Sequence, residues 1–328
     1  MTDPQAGARG RARSIDQGLF LDAGGLPQWV TLRGRDLANP ALMIVGGPGA
    51  AFTRWAPFFE PWETAFTLVQ WDQPGGGATW ARSSDETTGP ITLQRLVRDG
   101  LAVAEQALAI LDARKLVLLG MSGGSIVGLM MAKARPDLFA AYVGTGQFTH
   151  WARQDALSYA KVLRQARASG DSAAARALEA LGPPPYPNTA SDAIKSRYAG
   201  APTPAELAAL AAAPEMRAEP PPGAGYIPAG LPLPDPRARG LACYDQLRGE
   251  LMAFDARRLG LAFEIPMIFL QGAEDRYSVS SEVEAYAAEI AAPLKRFVPV
   301  EGGGHSAMFM REAFLALLER HVRPLAEG

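Results

Sequence analysis

The feature that most restricts the fold is a set of short, unbroken apolar runs, each stopped by glycine, proline or a charged turn. Ala41 to Val45 (ALMIV) ends in Gly46-Gly47-Pro48-Gly49, Ala65 to Trp71 (AFTLVQW) ends in Asp72-Gln73-Pro74 and a glycine triplet, and Lys115 to Leu119 (KLVLL) ends in Gly120. Phe139 to Val143, Pro266 to Leu270 (PMIFL) and Leu294 to Val300 (LKRFVPV) repeat the form. Runs this short without polar alternation suit strands buried on both faces, the condition of a parallel sheet covered by helices. Pro90 to Ala113 carries Leu93, Leu96, Val97, Leu101, Ala104, Leu108 and Leu111 at three- and four-residue steps, the spacing of an amphipathic helix. Ser125 to Ala134 reads as another helix. Strand and helix in alternation predict right-handed crossovers and an α/β sheet. Ahead of it, LFLDA and QWVTLRG flank Gly24-Gly25 and predict an antiparallel hairpin.

The pattern breaks between about 146 and 260. Ala-rich helical stretches near 152–180 and 204–213 alternate there with Pro183-Pro184-Pro185-Tyr186-Pro187 and with residues 214–236, which hold eight prolines. Proline this dense removes amide donors and is excluded from central strands. Because strand runs resume at Pro266, the expected organisation is one core, residues 15–145 and 261–328, interrupted by a mainly helical, Pro-rich cap over 146–260. A disordered linker between two domains is the other reading, and 328 residues accommodate either. Residues 1–14 read as a flexible polar tail, and Ser306 to Val322 as a closing helix.

Chemistry concentrates where the apolar runs end. Gly120-Met121-Ser122-Gly123-Gly124 is a G-x-S-x-G element between a strand and a helix, a turn so tight that the serine is held strained with its hydroxyl exposed. A serine hydroxyl becomes nucleophilic only when a base takes its proton and an acid orients that base. The chain has three histidines, His150, His305 and His321. His305, in Gly302-Gly303-Gly304-His305-Ser306, directly follows LKRFVPV, and Asp275 directly follows PMIFL, with Glu274 beside it. Ligand sites in open α/β sheets lie at the carboxyl ends of strands, so Ser122, Asp275 and His305 are expected on one edge as nucleophile, orienting acid and base. Their order along the chain is that of the α/β-hydrolase triad. Donors for a developing oxyanion are expected from the amides of Gly123 and Gly47, with Gly46, Pro48 and Gly49 nearby. His150 reads as structural or substrate-facing, and His321 as a cap on the last helix's carbonyls.

Other chemistries lack their residues. Lys plus Arg number 32 against 34 Asp plus Glu, a net charge of −2, which argues against a nucleic-acid or anionic membrane surface. No G-x-G-x-x-G follows a strand, and no phosphate-binding G-x-x-x-x-G-K-[ST] occurs. The lone Cys243 excludes an intramolecular disulfide and a Cys-rich metal site and is expected to be a small buried hydrophobe; the dispersed histidines offer no metal cluster. No cofactor or metal is therefore expected, and the partner is a small-molecule or short-peptide substrate. With no secretory h-region in the first twenty residues and no long apolar stretch, a cytoplasmic enzyme is expected.

Jointly these motifs resemble the proline iminopeptidase family of α/β-hydrolases. That family is similar in carrying H-G-G-P-G, D-Q-x-G-x-G-x-[ST], G-x-S-x-G, G-x-x-D and G-x-G-H in this order. Here they stand as Gly46 to Gly49, Asp72 to Thr79, Gly120 to Gly124, Gly272 to Asp275 and Gly302 to His305. The resemblance covers about 18–145 and 261–325. Val45 replaces the family's histidine, Pro74 its usual arginine, and Gly123 a common tryptophan. The resemblance implies a serine aminopeptidase that releases N-terminal residues, proline first, from small peptides or amides. In such enzymes acidic cap residues read the free amine; the insertion offers Glu179, Glu206, Glu215, Glu219 and Glu250. A carboxylesterase or lactonase, needing no ammonium recognition, is the alternative, and a non-catalytic binding protein of the same fold a remote one.

Overall fold

The apolar runs become strands β1 (Ile15–Ala23), β2 (Leu26–Gly34), β3 (Ala41–Val45), β4 (Thr67–Trp71), β5 (Leu116–Met121), β6 (Phe139–Thr145), β7 (Met267–Gly272) and β8 (Lys295–Val300) in a computed structural model that describes residues 14–213, 227–233 and 235–327. They form one eight-stranded sheet in the order β1-β2-β4-β3-β5-β6-β7-β8. β1 pairs antiparallel with β2, and β2 with β4; every later pairing is parallel. The hairpin turns at Gly24 and Gly25, both at positive φ, as the primed turns require. The tail expected at 1–14 lies, but for Ser14, outside the described residues, as does most of the Pro-rich 214–236.

Burial explains why the strands read as continuous apolar runs. All five residues of β3 are buried. Met43 and Val45 join one core with Val69, Trp71 and Leu118, while Leu42 and Ile44 join a second, on the opposite face, with Leu68, Val117 and Leu119. Between β3 and β4 lies α1 (Ala56–Phe59), and after β4 come α2 (Gly77–Arg82), α3 (Asp85–Thr88) and the long α4 (Leu93–Leu111). α4 starts at Thr92, whose side chain accepts from the Arg95 amide, and stops at Asp112 in the left-handed region. Helix α5 (Gly123–Ala134) follows β5 directly and buries Ile126, Val127 and Leu129.

Helices α6 (Trp151–Ala168), α7 (Ser172–Leu181), α8 (Thr189–Ala199), α9 (Pro204–Ala211) and α10 (Pro236–Met252) lie between β6 and β7. The helical stretch expected near 152–180 divides at Gly170, where Asp171 caps α7 by accepting from the Ala174 amide at 2.9 Å. Val162, Ala166, Ala174, Leu178 and Ala199 make a small core of their own among α6, α7 and α8. α10 instead joins the main core through Cys243, Leu247 and Leu251, spaced four apart. α11 (Ser280–Glu289) precedes β8, and α12 (Arg311–His321) stacks Phe314 on Trp62 across the second face. No described helix is long and apolar enough to cross a membrane.

Candidate active site

The turn from β5 into α5 holds Ser122 at φ 53° and ψ −130°, a conformation that costs a non-glycine residue about 1–3 kcal/mol. Its neighbours hold it there. The Ser122 amide donates to Thr145 O at the end of β6 at 3.1 Å, and the Ser122 carbonyl accepts from the Ser125 amide at 2.9 Å and from Ser125 Oγ at 2.5 Å. The flanking glycines let chains cross. A Cβ on Gly124 would lie 2.1 Å from Val45 O and 2.3 Å from Gly46 O.

The structure brings Ser122, His305 and Asp275 together from three strand ends. Ser122 Oγ lies 2.9 Å from His305 Nε2, and His305 Nδ1 lies 3.1 Å from Asp275 Oδ2. Asp275 is wholly buried and fully partnered. Oδ1 accepts from the amides of Tyr277 and Ser278 at 2.7 and 3.0 Å; Oδ2 accepts from Gln271 Nε2 at 2.7 Å and Ser278 Oγ at 2.5 Å. Burial alone would raise its carboxyl, but the His305 imidazole and the donors from Ser278 and Tyr277 outweigh burial and hold it below the ordinary carboxylate range. Glu274 takes no part in this row. Its amide donates to Gly303 O at 2.8 Å, and its side chain lines an outer groove with Lys161 and Arg276.

Gly47 faces the turn: a Cβ on it would stand 3.9 Å from the Gly123 amide nitrogen. The Asp72-Gln73 pair, to which sequence reasoning gave no role, holds this loop. Gln73 Nε2 donates to Gly46 O at 2.8 Å and the Gln73 amide to Ala50 O at 3.0 Å. Asp72 accepts from the Thr53 amide, Thr53 Oγ1 and the Ala78 amide at 3.1, 2.9 and 2.9 Å. Burial pushes its carboxyl up to about 6, with those hydrogen bonds working in the opposite direction.

Aromatic side chains wall the imidazole. Tyr277 lies 4.8 Å and Phe148 6.1 Å from the His305 ring, Phe148 stacks on Trp151 at 4.5 Å, and Trp151 meets Tyr244 at 6.0 Å. Behind Tyr277, Lys195 is buried over its ring at 4.8 Å, bonded to Asp155 and 3.5 Å from Asp192. These residues share no spacing that would have shown them in the sequence. Each apolar one reads as ordinary core, and the aspartates read as helix surface.

The remaining candidates fall elsewhere. His150 caps α6, its Nδ1 accepting from the Arg153 amide at 3.4 Å, so of its two expected roles the structural one is seen. His321 does not cap α12's carbonyls: its Nδ1 lies 3.3 Å from Arg296 Nη1, because β8 brings that guanidinium alongside the last turn. Burial, with Arg320 and Arg296 adjacent, lowers its imidazole below the usual value. Of the glutamates, Glu179 pairs with Arg167, Glu250 accepts from the Leu93 amide, and Glu206 accepts from Thr203 and Gly304. Glu215 and Glu219 lie outside the described residues. Cys243 is buried as expected, its thiol raised to about 11 by burial. Among the described residues no group of three or more His, Cys, Asp or Glu is arranged to hold a metal ion.

No protein-family model matches the chain. Among curated proteins it is similar to the probable aminopeptidase YbaC of Bacillus subtilis strain 168, 26% identical over 312 residues that span 92% of this chain and 95% of that protein. Among solved structures it is similar to the proline iminopeptidase-related protein of Thermus thermophilus, with TM-score 0.62 and 19% identity over 95% of this chain and 99% of that one. A thermophilic esterase from Thermogutta terrifontis is similar too, with TM-score 0.55 and 18% identity over 96% and 100%. The fold is that of the α/β-hydrolases. Helices α6 to α10 occupy the stretch between β6 and β7.

Proposed function

We propose that this chain is a serine hydrolase that cleaves small amides or esters through an acyl-enzyme. The observation that carries the reading is the unbroken row from Ser122 Oγ through His305 to buried Asp275, at 2.9 and 3.1 Å. His305 Nε2 takes the Ser122 proton as Oγ bonds to the substrate carbonyl carbon. The oxyanion that forms is met by the amides of Gly123 and Gly47. Collapse breaks the bond to the leaving group, which receives the proton from the imidazolium. Water then attacks the acyl-enzyme by the same relay and regenerates Ser122. Asp275 keeps the proton on Nδ1, so Nε2 stays free to accept, and α6 to α10 serve as a cap whose aromatic residues line the site. S122A is expected to lose turnover on every substrate of the parent; wild-type turnover in S122A sinks the mechanism.

For substrate, the likeness to the Bacillus aminopeptidase and to the Thermus protein supports peptides or amides with a free N-terminus, proline first. One observation favours an ester or lactone instead. Beyond Asp275, the buried acids that adjoin the aromatic wall, Asp155 and Asp192, are already matched by Lys195, with Arg248 close enough to act on Asp155. An ammonium of the chain thus stands where a substrate amine would seek a carboxylate. Rates on prolyl anilides and on short acyl esters, compared side by side, separate the two: activity on esters alone removes the peptidase reading.

A further inference from the structure

The two loops that carry the base and its acid are tied to the inserted helices. Lys161 Nζ of α6 donates to Asp275 O at 2.9 Å, and Ser196 Oγ of α8 lies 3.0 Å from Tyr277 Oη. The most direct tie comes from the start of α9. Thr203 Oγ1 donates to Gly302 O at 2.7 Å, and the Gly304 amide donates to Glu206 Oε1 at 2.9 Å, one residue before His305.

Thr203 and Glu206 form a capping box: the Glu206 amide donates to Thr203 Oγ1 at 3.2 Å, and the Thr203 amide to Glu206 Oε2 at 2.8 Å. A capping box needs only that exchange and works at a solvated helix end. Here Glu206 has no solvent exposure, no cation pairs with it among the described residues, and its carboxylate receives amides from two separate segments. Burying a carboxylate is costly unless hydrogen bonds compensate, so the second bond, to Gly304, is part of what lets the group be there. Gly304 is shaped for it: a Cβ at that position would stand 3.0 Å from Glu206 Oε2 and from Thr203 Cγ2.

We propose that Thr203 and Glu206 are positioning residues for His305. They fix the Gly302–Gly304 loop from both sides, and the loop in turn sets the imidazole where Nε2 meets Ser122 Oγ. The inference rests on the reading of His305 as the base. Glutamine at 206 offers one acceptor and one donor to two amides that both donate, so E206Q breaks one contact and lets the loop drift, whereas E206D keeps two acceptor oxygens. T203V removes the bond to Gly302 and leaves the carboxylate.

The test is the second-order rate at which a fluorophosphonate labels Ser122, with kcat and KM on a hydrolysed ester and a thermal melt for each variant. E206Q is expected to label roughly tenfold to a hundredfold more slowly, on the scale that a displacement of about 1 Å costs a positioned group. kcat should fall with it, KM should hold because Glu206 is sealed from substrate, and E206D should recover part of the rate. A merely structural role would lower the melting temperature while leaving the labelling rate per folded molecule unchanged. Wild-type labelling and kcat in folded E206Q overturn the inference; where E206Q does not fold, wild-type rates in T203V overturn it. Absence of labelling in the parent would overturn the hydrolase reading itself, and this inference with it.

Discussion

Replacing Gly124 by alanine tests the site through one added methyl group. The new Cβ would stand 2.1 Å from Val45 O and 2.3 Å from Gly46 O, both backbone atoms that no rotamer change can move. A Cβ comes no closer than about 3.0 Å to such atoms, so the first turn of α5 and the Gly46–Gly49 loop must part by about 0.9 Å. Ser122 and Gly123 lie on one side of that gap and Gly47 on the other. Oxyanion donors act at about 2.7–3.1 Å, so a separation of this size removes one of them. The expected loss is about 10²–10³ in kcat, or roughly 3–4 kcal/mol of barrier. Overpacking should also lower stability by about 1–3 kcal/mol. Steady-state kinetics on an ester or anilide that the parent hydrolyses, with a urea titration alongside, reads both effects. G249A in α10 is the control, since its Cβ would meet nothing within 4 Å; it should keep full activity and gain roughly 1 kcal/mol of stability from helix propensity. Folded G124A that keeps kcat within about threefold, less than 1 kcal/mol of barrier, refutes the assignment of this gap to the transition state.

D275N should lower kcat by about 10⁴ through loss of the imidazole's orientation, whereas E274Q should leave it near the parent value; equal losses would show that the buried row is not the working one. Cys243 should resist a neutral-pH thiol reagent in the native protein and react on unfolding, because burial lifts its thiol to about 11; prompt native labelling contradicts that burial. Asp72 has a definite pH signature. Its folded value of about 6 stands above the ordinary 3.8, so its contribution to stability is full below the unfolded value and is lost as pH rises through about 6. The swing is about 3 kcal/mol. Urea midpoints from pH 4 to 7 should therefore fall less steeply for D72N than for the parent, and parallel curves would count against a raised Asp72.

Wherever burial on both faces dictated residue type, the fold was legible. β3 spans the ALMIV run to the residue, since all five side chains enter one core or the other. β4 begins two residues into its run, at Thr67, because Ala65 and Phe66 still belong to the turn and donate their amides to Trp62 O. That Ser122, Asp275 and His305 meet was legible for the same reason as the strands: each follows a strand end, and the sheet brings those ends together. The imidazole wall had no such carrier. Phe148, Trp151, Tyr244 and Tyr277 come from a loop, two helices and the acid turn, and contact rather than spacing unites them. α10 escaped for a related reason: its apolar stripe is the narrow row Cys243, Leu247 and Leu251, with glycines at 240 and 249 diluting the helical signal.

That helix also gives physical sense to the chain's departures from the motifs it resembles. A Cβ on Gly123 would lie 2.8 Å from Pro48 Cδ, so a tryptophan there, common in the resembled family, would push the loop off the turn; glycine lets Pro48 close on it. Proline at 74 leads into Gly75, at φ 86°, where a Cβ would meet Cys243 Sγ at 2.5 Å. A Cβ on Gly49, in the Gly46–Gly49 loop, would meet the same sulfur at 2.6 Å, and Arg239 Nε donates to Gly75 O at 3.0 Å. One turn of α10 therefore packs against both glycine loops beside the Ser122 turn, while α9 holds the loop before His305. The stretch from α6 to α10 contains none of the motif residues, yet it packs on the loops that carry them. Variation in this motif-free third of the chain is consequently expected to alter turnover as directly as substrate choice.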